Sequence, residues 1–482
     1  MLTKSLLILS ALILTLQAER KPNLIYILVD DMAWADTGFN GHEFYETPHI
    51  DKLCADGVKL DQFYTGGANC APTRACIISG MYTPRHKIYQ PGGRSKGDHR
   101  KMRFAVPNRS NNSAGNSIKP EFEVRTELDE SCQSIAETLK TAGYITARYG
   151  KWHLGDDTQG FDISSSNGQP GVDQKHYGNI SVADEITDAS IEFIKTNKDK
   201  PFFLYLSHWD VHMPIRAKKE LVDKFEQKNK KLGTSYNAGL AGMTTQVDQS
   251  VKRIRAIIEE LDLAEDTLIL FSSDNGGPGN VTDNAPLKGV KGSFYEGGVR
   301  VPACAYWKGR IPSGSKSDIV MTSVDILPTF AELAGAKLPS SQPVDGVSIY
   351  NALVGKDVSH LQERAVFWHY PLYLQGSPKS TGLIPAYGTQ EGYFRATPSS
   401  LVRKGDWKLI YFIETKSAEL YNVRKDPYEQ TELSQAEPKK YQEMLQLVKE
   451  WQEATQAPLP TKLNPQFDPS YDSKKKADKG KK

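Results

Sequence analysis

The run Asn23 to Val29 (NLIYILV) is apolar without a break after its first residue and shows no polar–apolar alternation. A strand of this kind must be covered on both faces. An antiparallel sheet with one wet face cannot do that, so the run predicts the centre of a mostly parallel sheet packed between helices. Open sheets of this class place their sites at the carboxyl ends of the strands. This strand ends on two carboxylates, Asp30 and Asp31.

The stretches that follow extend the same scheme. Thr47-Pro48 opens a short helix carrying Ile50, Leu53 and Cys54 on one face and stopped by Gly57. Val58 to Tyr64 leads into Asn69-Cys70-Ala71-Pro72-Thr73-Arg74-Ala75-Cys76, closed by Ser79-Gly80. Pro72 suits a first helical turn and Gly80 the position just past the end. Cys70 is then expected immediately before a helix N-terminus, a place to hold an anion and to activate a nucleophile. Arg74 adds planar cationic donors one turn on. Taken alone, the stretch equally describes a buried cysteine at a helix start.

Helices near Gln133 to Thr141, Ala183 to Thr196 and Thr244 to Leu261 alternate with strands at Ile145 to Tyr149, Phe202 to Leu206 and Thr267 to Phe271. The strands deliver, in turn, Gly150-Lys151-Trp152-His153-Leu154-Gly155, then His208, Asp210 and His212, then Asp274-Asn275-Gly276-Gly277. The expected fold is α/β, a large mostly parallel (mixed) sheet sandwiched by helices. From about Arg364 short β-like runs and one helix near Lys439 to Ala454 predict a smaller C-terminal α+β subdomain. Residues 89–127 break the alternation. They are polar and carry Arg94, Lys96, Arg100, Lys101, Arg103 and Arg109, which predicts a basic wall of a binding cleft, with an inserted loop as the alternative.

With 482 residues, 39% hydrophobic and 24% charged, the composition is that of a soluble globular protein with a large core. The net charge of +2 hides a tail from Ser473 onward that holds six Lys and one Asp, leaving −3 for the rest. No basic field argues for nucleic acid, and the tail is expected to be solvated. At the other end Lys4, the apolar run Ser5 to Leu16 and the small Ala18 predict an export signal. No later segment is long and apolar enough for a membrane span, so no stable membrane association is expected. Export to a periplasm or to the outside permits disulfides. Yet the five cysteines, Cys54, Cys70, Cys76, Cys132 and Cys304, are too few for a disulfide framework and odd in number, and their pairing stays open. The expected division is a signal peptide 1–18, a catalytic domain 19–363, a subdomain 364–460 and a Lys-rich disordered tail 461–482.

Asp30, Asp31, Asp274 and Asn275 all follow apolar strands. Hard oxygen ligands of this kind suit Ca²⁺ or Mg²⁺ rather than zinc. Arg74, Lys151, His153, His212 and Lys291 form a second, cationic set suited to a tetrahedral anion.

Cys70-Ala71-Pro72-Thr73-Arg74 and Gly150-Lys151-Trp152-His153-Leu154-Gly155 resemble the two hallmark motifs of the type I sulfatases, formylglycine-dependent enzymes of the alkaline phosphatase superfamily. The resemblance continues through Asp30-Asp31, Thr47 to Gly57, Asp274 to Gly277, Tyr295 to Pro302, Val324 to Thr329, Leu420-Tyr421-Asn422 and Asp426-Pro427. It implies an alkaline-phosphatase-like fold and a Cys70 converted by a maturation enzyme to formylglycine. The hydrate of that aldehyde attacks sulfur with one hydroxyl and expels sulfate with the other. It also implies one Ca²⁺, or Mg²⁺, on Asp30, Asp31, Asp274, Asn275 and the modified Cys70. Arg74 and Lys151 would orient and neutralise, His153 would be the base, and His212 and Lys291 would bind the sulfate, with His212 donating the proton. His208 competes with His212, and Lys288 with Lys291, which the register to Glu296-Gly297-Gly298 favours. Phe367-Trp368-His369-Tyr370-Pro371 is similar to a segment in family members that act on sulfated carbohydrates, with His369 as a substrate contact. The expected substrate is a sulfated polysaccharide or its oligosaccharides. The rival readings are a formylglycine-dependent phosphonate or phosphodiester hydrolase and a non-catalytic glycan-binding protein.

Overall fold

A computed structural model of the protein describes residues 20–109, 121–155, 158–164, 180–377, 380–387 and 392–471. The expected signal segment 1–18 and the end of the expected tail, 472–482, lie outside the described residues.

Eight strands form the main sheet: β1 (Asn23–Val29), β2 (Val58–Leu60), β3 (Ile145–Gly150), β4 (Ile163–Ser164), β5 (Phe202–Ser207), β6 (Thr267–Ser273), β7 (Ala303–Tyr306) and β8 (Ser315–Ser317). Their order is β8-β2-β7-β6-β1-β5-β3-β4. β1 runs parallel to both β5 and β6, and only β7 is antiparallel to its neighbours, so the sheet is mostly parallel and mixed as expected.

Seven helices matter for the site and core: α1 (Pro48–Ala55), α2 (Cys70–Ser79), α3 (Ile135–Lys140), α4 (Val182–Asn197), α5 (Ala238–Glu260), α6 (Ile326–Ala334) and α7 (Pro438–Ala454). Every residue of β1 is buried. Leu24, Tyr26 and Leu28 share one core with side chains of α2, α3 and α6, while Ile25, Ile27 and Val29 share another with α1, α4 and α5. Helices on both faces are the physical reason the run tolerates no polar alternation. Each such aliphatic side chain contributes roughly 1.5–3 kcal/mol by leaving water.

The C-terminal subdomain is an antiparallel sheet of β9 (Ala365–Tyr370), β13 (Ser399–Lys404), β14 (Trp407–Phe412) and β15 (Ser417–Asn422), with Val402, Leu409 and Leu420 packed under Met444 and Val448 of α7. Between the two parts lies a five-stranded sheet that draws on both. β10 (Leu374–Gln375), β11 (Ile384–Pro385) and β12 (Gly392–Ala396) are joined by the short strands Ser95–Lys96 and Asn108–Arg109 from the early basic segment. That segment is thus not a loop throughout. Residues 461–471, expected within a disordered tail, also fold back: Phe104 bridges to Leu463, and the Asn464 side-chain amide donates to the carbonyls of His99 and Met102.

Candidate active site

Val29 pairs with Ser273, and Leu28 and Gly150 both pair with Ser207, so four parallel strands end at one level. Asp30, Asp31, Lys151, Asp274 and Asn275 leave the sheet together there and are all buried. Asp31 takes a left-handed backbone (φ 67°), which aspartate tolerates better than most residues. Its N–H donates to Asp274 Oδ1 (3.2 Å), and the Asn275 side-chain amide donates to Asp31 Oδ1 (2.7 Å).

Cys70 is the first residue of α2, which ends at Gly80 in the left-handed conformation. Its Sγ lies 3.3 Å from Lys291 Nζ and 3.9 Å from Asp31 Oδ1. Burial, and next the charge of Asp30, push the thiol up to about 12. Desolvation outweighs the helix N-terminus, so the surroundings keep a protonated thiol and do not activate a thiolate.

Arg74 is fully buried and ties three strand ends together. Its Nε and Nη2 donate to Asp274 Oδ2 (3.0 and 2.7 Å), and Nη1 donates to the Lys151 carbonyl (2.7 Å) and to Ser207 Oγ. Lys151 is paired with Asp30 Oδ2, and Lys291 with Asp31 Oδ1 (2.5 Å). Burial opposes the charged form of both lysines, but Asp30 and Asp31 respectively outweigh it and raise them. Asp274 is pushed up to about 6 by burial and by the neighbouring Asp30.

Both candidate histidines are present. His212 Nε2 stands 3.7 Å from Asp31 Oδ2, while its Nδ1–H donates to the Met213 carbonyl (2.5 Å). Burial and then Lys151 bring His212 down to about 4. His153 is held well below the usual range by burial and then by Lys151, Arg74 and Lys291. Both rings are therefore neutral in this arrangement.

Asp30, Asp31, Cys70 and His212 each offer a ligand atom within 4.8 Å of the others. Asp30 Oδ1 and Asn275 Oδ1 are buried and have no partner among the described residues. Two orphaned oxygens amid three carboxylates fit a hard divalent cation, which would satisfy the acceptors and relieve the crowding that raises Asp274.

The structure separates the competing candidates. Lys291 reaches Cys70 and Asp31, whereas Lys288 Nζ donates to Tyr421 Oη (3.1 Å) and the Glu429 carbonyl (3.4 Å), away from the cluster. His208 is fully buried, its ring nitrogens meet no partner among the described residues, and burial lowers it to about 4. Of His208 and His212, it is His212 that reaches Asp31, and the cluster of possible ligand atoms includes His212 and not His208. His369 departs from its expected role as a substrate contact. Its ring is buried, Nδ1 lies 2.7 Å from Ser400 Oγ and Nε2 3.0 Å from the Pro458 carbonyl, so neither nitrogen is left for a sugar. The adjoining aromatics are engaged in packing: buried Trp368 donates to the Thr65 carbonyl (2.6 Å), and half-buried Phe367 stacks on Trp451 at 4.9 Å.

Two contributors had no motif to announce them. Ser207, one residue beyond the expected end of its strand at Leu206, holds Arg74. Arg395, on β12, donates to the Lys291 carbonyl (2.7 Å), a tertiary contact no local pattern encodes.

A sheet of this topology with acidic strand ends and a helix-borne cysteine defines a hydrolase of the alkaline-phosphatase-like fold. The Sulfatase family model matches residues 22–336, and the model for the N-sulphoglucosamine sulphohydrolase C-terminal region matches residues 290–457. A "Sulfatase" of Formosa agariphila is 30% identical over 508 residues, covering 87% of this chain and 86% of that protein. The Homo sapiens N-acetylgalactosamine-6-sulfatase is 29% identical over 392 residues, covering 73% and 69%. Among solved structures, Ps i-CgsB in complex with k-i-k-neocarrahexaose is similar with a TM-score of 0.71 and 25% identity, over 92% of this chain and 95% of that one. The chain belongs to the sulfatase family, as a sulfuric ester hydrolase of type I.

Proposed function

We propose that this sulfatase is exported and removes sulfate from a sulfated polysaccharide or its oligosaccharides, after a maturation enzyme has converted Cys70 to formylglycine. The observation that carries the reading is the meeting of Cys70, Asp31 and the half-buried Lys291 in one cluster, with Arg74 and Lys151 beside it. The carbohydrate class is supported by the sugar-directed names of the relatives, and export by the segment around Lys4 to Ala18.

The formylglycine hydrate would supply two hydroxyls on one carbon, one to attack sulfur and one to expel sulfate, which neither a serine nor a cysteine adduct can do. A divalent cation, Ca²⁺ or Mg²⁺, on Asp30, Asp31, Asp274, Asn275 and residue 70 would supply positive charge where the ester's negative charge gathers. The protein's own groups complete the chemistry. Arg74 fixes Asp274 and the strand ends, so the acceptors keep their geometry when a charged ester arrives. Lys151 and Lys291 face the cluster as full ammonium groups and counter the sulfuryl oxygens. His153, kept neutral by burial and then by the cations around it, is in the form that takes a proton from residue 70. His212 is neutral with Nδ1–H committed to Met213. The incoming ester's negative charge favours its protonation, and Nε2–H then donates to the leaving oxygen. Such transfers typically contribute about 10²–10⁴-fold.

Mass spectrometry of the peptide around residue 70 from the native host tests the first step, since conversion lowers the mass by about 18 Da. Parallel assays on sulfate and phosphate esters test the second. An unconverted thiol, or phosphate release exceeding sulfate release, refutes the proposal.

A further inference from the structure

Three cations, Lys96, Arg109 and Arg395, gather near Lys291, with Lys96 within electrostatic reach of the other two and of Lys291, and none forms a salt bridge among the described residues. The five-stranded sheet between the two parts of the molecule brings them together. Lys96 pairs in register with Arg109 on one side and Leu374 on the other, so these side chains share a face. Leu374 shows where that face looks. It packs so closely against Gly292 that a Cβ there would sit 2.3 Å from its Cδ2, and the next atom such a Cβ would meet is Asn69 Oδ1. Gly292 follows Lys291 and Asn69 precedes Cys70, so the face is turned to the scissile site. Arg395 is anchored from the neighbouring strand β12, with Nε donating to the Gln375 carbonyl (3.1 Å) and Nη1 to the Lys291 carbonyl (2.7 Å).

Like charges gathered this way carry a cost. Lys96 is lowered first by partial desolvation and then by Arg395, Lys291 and Arg109, while burial lowers Arg395 against the opposing pull of Tyr370 and Asp31. Elsewhere on the surface, lysines and arginines such as Lys52, Lys219 and Lys224 have acidic partners. Here Arg395 spends its donors on carbonyls, which fix its direction without neutralising it. A fixed cation cluster with no salt-bridge partner among the described residues, beside a sulfate-ester site, is arranged for a second anion.

We propose that Lys96, Arg109 and Arg395 form a further anion subsite that holds a second acidic group of the same substrate, a sulfate ester or a uronate carboxylate, next to the sulfate being cleaved. The subsite deepens the sulfatase reading and rests on it. It makes the preferred substrate a polyanion rather than a glycan with a single isolated sulfate.

Calorimetric titration of the full chain tests this with three probes: dextran sulfate oligosaccharides (sulfate only), oligogalacturonates (carboxylate only) and inorganic sulfate. The readout is the affinity for each polyanion relative to inorganic sulfate. The double variant Lys96→Gln/Arg109→Gln is expected to lower that ratio about tenfold or more for at least one polyanion, and the polyanion affected identifies the acidic group. Lys96→Arg should keep the ratio. So should Lys230→Gln/Lys231→Gln, which removes two exposed charges from the helix Lys219–Leu232. A ratio within twofold of wild type in the Lys96/Arg109 variant overturns the subsite. So does an equal loss in the Lys230/Lys231 control, or a wild type with no preference for either polyanion over inorganic sulfate. Turnover of 4-nitrophenyl sulfate by wild-type protein with residue 70 converted is read separately. Its absence removes the sulfatase reading, whereas its presence with an unchanged ratio removes only the subsite.

Discussion

Arg74 Nη2 and Asp274 Oδ2 lie 2.7 Å apart with neither side chain exposed. Removing one member of a buried pair leaves the other uncompensated, at a cost of roughly 3–5 kcal/mol. Arg74→Ala should therefore lose both turnover and that order of stability, read by urea unfolding. Arg74→Lys supplies charge but not the fork to Asp274, Ser207 and the Lys151 carbonyl, so it should recover only part of the stability. A fully stable and active Arg74→Ala enzyme would contradict the role given to this pair.

Cys70→Ala should abolish sulfate release, by at least about 10³–10⁴-fold, while the melting temperature stays within a few degrees. The side chain is small, and no hydrogen bond essential to the fold depends on it. Cys70→Ser should fail as well unless the host's maturation system accepts serine. Residual activity near wild type in either variant would show that residue 70 is not the nucleophile's precursor.

The two neighbouring lysines should separate cleanly. Lys291→Ala is expected to cut kcat/KM by about 10²-fold or more, since a charge is lost beside the reacting group. Lys288→Ala should chiefly lower stability, because its ammonium binds Tyr421 and Glu429 in the subdomain. Steady-state kinetics and thermal melts on both variants decide, and the reverse pattern would reassign the site.

Asp36 gives a pH signature. Burial pushes its carboxyl from the ordinary 3.8 up to about 7, although Thr282 Oγ1 and the Ala33 N–H donate to it. The native state thus holds a proton that the unfolded chain releases. Its contribution is complete below about pH 4, shrinks as pH rises to 7 and is level above that. Asp36→Asn should therefore gain on wild type between pH 4 and 7, by on the order of 2–4 kcal/mol. A difference that is flat with pH would mean the carboxylate is ionised throughout.

Chelation should reduce turnover at least tenfold and lower the melting temperature, with both restored by added Ca²⁺ or Mg²⁺. At a hundred times its dissociation constant an ion bound only to the native state contributes about 2.7 kcal/mol. A chelated protein that melts and turns over unchanged would leave the orphaned oxygens of Asp30 and Asn275 without a cation to satisfy.

The strand pattern carried the main sheet because burial on both faces leaves its mark on sequence. β1, β3, β5 and β6 all end within two residues of the expected positions, and so the strand-end residues were legible too. Two kinds of information were not. An aromatic-rich run reads the same whether it lines a cleft or fills a core, which is how His369 and its neighbours misled. And contacts between distant segments, such as Arg395 with Lys291, have no local period or spacing to betray them. The thiol of Cys70 combines both lessons. Its helix position was readable, but the balance of dipole against desolvation depends on how deeply the surrounding chain buries it.

The register of Lys96 with Leu374 joins residues about 280 positions apart in the chain. At about 5–20 residues per second of synthesis, the early strand waits roughly 15–60 s for its partner. The reacting cluster and the neighbouring cations are thus completed at different times. A chain cut short before Leu374 would never acquire the strand that Lys96 pairs with, nor Arg395. Discrimination is the last property this molecule gains, and the first it would lose to a premature stop.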